Sequence, residues 1–117
     1  MRILLVDDNS EIGNMLQKYF TLTGNTCSIT SNGHDALSII QKNKFDVVLL
    51  DLAMPEYSGY DLLEALKKYN LLKNNRIVVL TATALSTSNV DTLAGFGVTK
   101  ILRKPIAPDD ILAQCTC

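Results

Sequence analysis

The run Phe45-Asp-Val-Val-Leu-Leu-Asp51-Leu-Ala-Met-Pro55 leaves the chain few ways to fold. Valine and leucine in unbroken succession suit a strand buried on both faces, of the kind a parallel sheet holds at its centre. The run stops on a carboxylate and enters a turn containing proline. The carboxyl end of a central parallel strand is where open α/β folds place their chemistry. Taken alone, Asp51 fits a simple turn cap equally well, so the other strands have to decide.

Two further runs are apolar almost throughout. Residues 2–7 (RILLVD) read as a strand ending on Asp7-Asp8, and residues 76–81 (RIVVLT) as another. Residues 26–31 alternate polar and apolar, and residues 98–103 are less apolar, so both suit sheet edges. Helical stripes lie between the strands. Asn9 or Ser10 caps a helix with Ile12, Leu16, Tyr19, Phe20 and Thr23 near one stripe, Met15 beside it and Gly24 at its end. Asn32-Gly33 turns the chain into a helix whose inner face is Ala36, Leu37 and Ile40. Ser58-Gly-Tyr-Asp61 has the form of a capping box, with Asp in place of Glu, and opens a helix with Leu62, Leu63, Leu66 and Tyr69 inward. The polar stretch 86–91 leads into a short helix ending at Gly95. A last helix begins near Pro108 behind a weak cap, Ala107, and the chain stops about two turns later.

Strand and helix alternate five times, which argues for a parallel sheet with helices on both faces. The strands at 3–6, 47–50 and 77–80 belong in the middle, and those at 26–31 and 98–103 at the edges. An order of 2-1-3-4-5 satisfies this with right-handed crossovers. No repeat, linker or low-complexity segment interrupts it, so residues 1–117 read as a single domain.

Composition narrows the function. With a net charge of −1, no global field attracts nucleic acid or an anionic membrane. Lys67, Lys68, Lys73 and Arg76 read as a solvated helix end and loop. No signal peptide and no run long enough to span a bilayer are visible, which points to a cytoplasmic protein without direct nucleic-acid or membrane contact. Three cysteines, an odd number, fit a reducing compartment. Cys27 reads as a small apolar residue in a strand. Cys115 and Cys117 end the chain with no further metal ligands or basic anchor nearby.

Parallel strands bring their carboxyl ends to one edge. There the sequence places Asp7 and Asp8, Asp51, Thr81 and Lys104. Converging carboxylates repel one another and raise each other's pKa. A hard divalent cation relieves that repulsion, and Mg²⁺ favours one or two carboxylates with other oxygen donors and a phosphate group. Lys104 adds a compact positive charge, Thr81 a hydroxyl donor, and Ala82 leaves room for an incoming group. These are the parts for phosphoryl transfer to a carboxylate, with Asp51 as nucleophile.

The ordered set Leu-Val-Asp7-Asp8-Asn, Val-Val-Leu-Leu-Asp51-Leu-Ala-Met-Pro55 with Gly59, Leu80-Thr81-Ala82 and Lys104-Pro105 resembles the receiver domain of two-component response regulators. The resemblance covers essentially the whole chain. It implies a flavodoxin-like, doubly wound five-stranded sheet with five helices. It also implies that Asp51 accepts a phosphoryl group from the phosphohistidine of a sensor histidine kinase or phosphotransfer protein. Asp8 and Asp51 would ligate Mg²⁺, Asp7 would hold it through water, and the carbonyl of Ala53 would be the third protein ligand. Lys104 and Thr81 would bind the phosphoryl oxygens, and the Lys104–Pro105 bond would be cis. The partner side would be a downstream protein or an output domain outside these residues, reading a face built from the fourth helix, fifth strand and fifth helix. One departure concerns the switch. The family usually carries an aromatic three residues before the lysine, where this chain has Ile101, which has no ring and stiff χ1 preferences.

Three other classes fit less well. A phosphohydrolase working through an aspartyl phosphate typically has a second Asp two residues after the nucleophile, and here Ala53 is there. A flavin mononucleotide binder needs a Ser/Thr/Gly-rich loop after the first strand, where Asp7-Asp8-Asn9 would repel phosphate. A receiver-like module that is never phosphorylated has no need of the complete acidic, Thr and Lys set. His34 reads as a surface residue, not a phosphocarrier, and Tyr57, placed in the loop after Asp51 where a ring can shield the site, reads more simply as ordinary loop packing.

Overall fold

Successive strand side chains point to opposite faces, so a run apolar at every position needs cover on both sides. The computed structural model, described for residues 1–54 and 56–116, supplies that cover. Five parallel strands are β1 (Arg2–Val6), β2 (Thr26–Thr30), β3 (Val47–Asp51), β4 (Ile77–Thr81) and β5 (Lys100–Arg103). Their order is β2-β1-β3-β4-β5, as the apolar runs predict. The helices are α1 (Ser10–Leu22), α2 (Gly33–Lys42), α3 (Gly59–Lys68), α4 (Thr87–Gly95) and α5 (Pro108–Cys115).

The alternation divides the interior into two cores. Leu4, Val6, Val48, Leu50, Ile77 and Val79 face one way and meet residues of α2, α3 and α4, among them Ile40, Leu63 and Leu93. Ile3, Leu5, Val47, Leu49, Val78 and Leu80 face the other way and meet Leu16 and Phe20 of α1 and Ile111 and Cys115 of α5. Each such side chain contributes about 1.5–3 kcal/mol when fully buried. The central strands β1, β3 and β4 are thereby locked, and their carboxyl ends become fixed points. β2 and β5 are only partly covered, as their mixed sequences require.

Side chains cap four of the helices. Asn9, Asn32, Ser58 and Ser86 each accept a backbone N–H of the first turn, and Ser58 with Asp61 completes the capping box. α5 has Pro108, Asp109 and Asp110 in its first turn but no side-chain cap.

Three expectations need correction. Tyr69 does not face inward: it follows the last turn of α3 as C-cap and is 51% exposed. The stretch 86–91 is not a lead-in, because Ser86 caps α4 directly and the helix already runs through it. Polar residues hid that start, since Leu93 is the helix's single buried residue. Arg76 is not a solvated charge, since its Nη1 donates to the carbonyl of Cys115 at 2.9 Å and ties the foot of β4 to the end of α5. Cys115 is buried in the second core, and burial pushes its thiol up to about 11. The readings on Pro55 and Cys117 lie outside the described residues. No helix among the described residues is long and apolar enough to cross a membrane.

Candidate functional site

Asp7 follows β1, and its backbone N–H donates to the carbonyl of Thr30 at 3.1 Å, which extends the β1–β2 ladder by one bond. The side chain is buried, and both oxygens are engaged. Oδ1 accepts the N–H of Asn9 at 2.9 Å, and Oδ2 accepts Lys104 Nζ at 2.7 Å. Asp8, the next residue, is exposed. Asp51 is the last residue of β3 and is 6% exposed. Its Oδ1 accepts the N–H of Ala53 at 3.1 Å, which curls the chain back over the strand end.

β4 ends on Thr81, which is 5% exposed. Its hydroxyl donates to the carbonyl of Thr83 at 3.1 Å and accepts the Thr83 N–H at 3.2 Å. Lys104 follows β5, and its backbone N–H donates to the carbonyl of Thr81 at 2.8 Å, so the ladder between β4 and β5 aims the lysine at the site. The Lys104–Pro105 peptide is cis. Ile101 lies one strand further out, half-buried, beside a cleft of about 360 Å³ that Thr81 and Thr83 also line.

Carboxylate oxygens of Asp7, Asp8 and Asp51 all lie within 4.8 Å of one another. One ammonium, Lys104, stands against these three acids, and it is bound to Asp7. Burial raises the Asp51 carboxyl above the ordinary carboxylate range; the Ala53 N–H opposes this, Asp7 and Asp8 add to it, and Lys104 partly offsets them. A cluster that is short of positive charge and offers oxygen donors alone fits a hard divalent cation, and Mg²⁺ in particular. Oxygen donors of this kind do not select softer metals.

The fold thus brings together Asp7, Asp8, Asp51 and Lys104, with Thr81 on the neighbouring strand end. Two sets of contacts escaped the sequence reading. Thr83 holds the Thr81 hydroxyl, a contact across a turn whose shape the sequence does not announce. Tyr57 packs on Gly33 and against His34, with ring centroids 4.0 Å apart. Asn32-Gly33 gave a turn signal but no sign of a ring above it. His34 itself is exposed, as expected.

A family model described as response regulator receiver domain matches residues 3–116. The response regulator SaeR of Staphylococcus aureus is 30% identical over 112 residues, which is 96% of this chain and 47% of SaeR. The chain therefore spans about half the length of the curated relatives it matches. Among solved structures, the chemotaxis protein CheY4 of Vibrio cholerae superposes with a TM-score of 0.89 at 28% identity, covering 98% of this chain and 95% of that one. The response regulator protein TrrA of Thermotoga maritima, in complex with Mg²⁺-BeF, superposes with a TM-score of 0.80 at 26% identity, covering 98% and 96%.

Proposed function

The chain belongs to the response regulator receiver domain family, and from that we propose that Asp51 is its phosphoryl acceptor in two-component signalling. The observation that carries the assignment is the meeting of three carboxylates within 4.8 Å at the ends of β1 and β3, with Lys104 held against Asp7. Asp51 is the acid at the end of the central strand, with one oxygen held by the Ala53 N–H. Its other oxygen is the nucleophile.

Transfer from a phosphohistidine forms a P–O bond to that oxygen and breaks the P–N bond, and the imidazole leaves. The product is an acyl phosphate. Lys104 carries the positive charge that meets the transferred oxygens. The Thr81 hydroxyl donates to one of them after giving up the carbonyl of Thr83. Asp8, Asp51 and the carbonyl of Ala53 would hold Mg²⁺, with Asp7 behind them through water. Bound there, the ion supplies neutralisation of the charge on the phosphoryl group and the acids. That TrrA is in complex with Mg²⁺-BeF supports this assignment.

The domain is a switch rather than a catalyst of external turnover, and Ala53 offers no acid or base for hydrolysis of other phosphoesters. We read residues 1–117 as one receiver domain of a cytoplasmic protein. Its phosphoryl source is a sensor histidine kinase or phosphotransfer protein. Its output passes through α4, β5 and α5 to a protein partner or to a domain outside these residues, starting from Thr81, with Ile101 beside it in place of the family's aromatic.

The test is to incubate the protein with Mg²⁺ and acetyl phosphate and weigh it. One added phosphoryl group is expected, absent in Asp51→Asn and absent with a chelator. An unchanged mass for the unmutated protein overturns the proposal.

A further inference from the structure

The segment after β3 has to hold two things still: the Asp51 carboxylate through the Ala53 N–H, and the Ala53 carbonyl that would face Mg²⁺. Ala53 is exposed and carries only a methyl group. Leu52 and Met54 on either side of it are buried in the first core, and a further anchor lies at the far end of the segment. Glu56 takes a left-handed backbone conformation, φ 65°. Next comes Tyr57, whose ring lies against the backbone of Gly33, the first residue of α2. A Cβ built on Gly33 would come within 2.1 Å of Tyr57 Cδ1 and 2.8 Å of Cε1. No φ in the left-handed range is recorded for Gly33, so what the position requires is room for the ring. The ring also meets His34 at 4.0 Å between centroids and packs against the first core.

The β2–α2 junction that receives Tyr57 also anchors Asp7. The Asp7 N–H donates to Thr30, three residues before Gly33. The segments that carry Asp7 and Asp51 are thus tied to one short stretch, residues 30–34, on the side of β1 away from β3.

We infer that Tyr57, seated on Gly33, is a positioning residue for the acceptor site: it holds the segment after β3 so that Ala53 presents its N–H to Asp51 and its carbonyl to Mg²⁺. The inference rests on the acceptor reading of Asp51 given above. Tyr57 touches no reacting atom and acts through Ala53. Groups that orient ligands in this indirect way typically change metal affinity by about 10- to 100-fold when removed.

The experiment compares Tyr57→Ala, Tyr57→Phe, Gly33→Ala and the double variant Gly33→Ala/Tyr57→Ala. Three quantities are measured: Mg²⁺ affinity by calorimetry, hydrogen exchange at the Ala53 amide, and phosphorylation by acetyl phosphate across a Mg²⁺ series. Tyr57→Ala is expected to weaken Mg²⁺ binding about tenfold and to speed Ala53 exchange by a similar factor, on the order of tenfold. Phosphorylation should slow at low Mg²⁺ and recover at saturating Mg²⁺. Tyr57→Phe keeps the ring and should behave as the parent. Gly33→Ala should reproduce the Tyr57→Ala effects by displacing the ring, and should add nothing once the ring is gone. Unchanged Ala53 exchange and Mg²⁺ affinity in Tyr57→Ala overturn the inference, as do additive effects in the double variant. Failure of the parent protein to take up a phosphoryl group overturns the acceptor reading instead, and the Ala53 exchange pattern then still decides whether Tyr57 holds the segment.

Discussion

Lys104 Nζ lies 2.7 Å from Asp7 Oδ2, joining residues 97 apart in the chain across the carboxyl edge of the sheet. The Asp7 side chain is fully buried and that of Lys104 only 17% exposed, so water screens the pair weakly. Among the described residues, the lysine is the ammonium paired with this group of three acids. Removing it leaves a buried carboxylate with the Asn9 N–H as its remaining partner. Lys104→Met is therefore expected to cost about 3 kcal/mol in urea unfolding without divalent cations, the scale for breaking one side of a buried pair. Added Mg²⁺ should shrink that loss, because a cation replaces the missing charge. A loss that is the same with and without Mg²⁺ contradicts this account.

Asp51 presents the opposite case. Burial first, then Asp7 and Asp8, raise its carboxyl above the unfolded value, against the Ala53 N–H and Lys104. A raised carboxyl favours folding while it is protonated. Its contribution is full below the unfolded pKa of about 3.9 and is lost as pH rises through the folded value. At neutral pH the charged Asp51 therefore costs the fold stability. Asp51→Asn should therefore raise stability at pH 7, where the parent carboxyl is charged. The gap between variant and parent should close below the unfolded pKa and narrow in Mg²⁺. Urea midpoints across pH, with and without the ion, check the sign.

How much of this the chain declared in advance follows from where each residue's environment is decided. β1, β3 and β4 are apolar at every position, and that alone put them in the centre and their terminal polar residues on one edge. Asn9, Asn32 and Ser58 announced helices because an N-cap is a local contact, written within three residues. Tyr69 failed because helical spacing continues on paper past the turn where α3 stops. The reading of Arg76 failed, and the particular contacts of Tyr57 stayed hidden, for another reason. The Cys115 carbonyl and the Gly33 backbone are tertiary partners, and no pattern near Arg76 or Tyr57 in sequence points to them. The acidic cluster was readable because topology converts strand ends into neighbours; the detailed hydrogen bonds of Thr81 were not.

Gly59 tests how tightly the end of β3 is held. It opens α3, its N–H donates to the Leu52 carbonyl at 3.1 Å, and a Cβ there would lie 2.8 Å from the Asp51 carbonyl oxygen and 2.9 Å from Leu52 Cα. Helix propensity alone favours Gly→Ala by about 1 kcal/mol. The contacts here are backbone atoms of the acceptor strand, which cannot swing aside, so crowding should win and Gly59→Ala should lose about 1–3 kcal/mol. Gly95, at the end of α4 with nothing within 4 Å of its added Cβ, is the control and should tolerate alanine. Equal tolerance at both positions by urea unfolding contradicts the crowding argument.

The final prediction concerns how a phosphoryl group is felt beyond the site. The Thr81 hydroxyl is committed to Thr83 on both its donor and acceptor sides. To donate to a phosphoryl oxygen it must release the Thr83 carbonyl, so the turn after β4 is the first segment to be disturbed. Ile101 borders the same cleft but is β-branched and stiff at χ1, which denies it a large swing. The signal should therefore run through the backbone around Thr83 and on into α4, with β5 following through the Lys104 N–H to Thr81 carbonyl bond. Adding beryllofluoride and Mg²⁺ as a phosphoryl mimic should shift the amide of Thr83 most, with smaller shifts over residues 86–105. Ile101→Ala should leave the Thr83 shift in place. If Thr83 and residues 86–105 do not shift while Asp51 and its neighbours do, the switch does not use this face. If Ile101→Ala abolishes the Thr83 shift, the isoleucine carries the coupling and the backbone route is wrong.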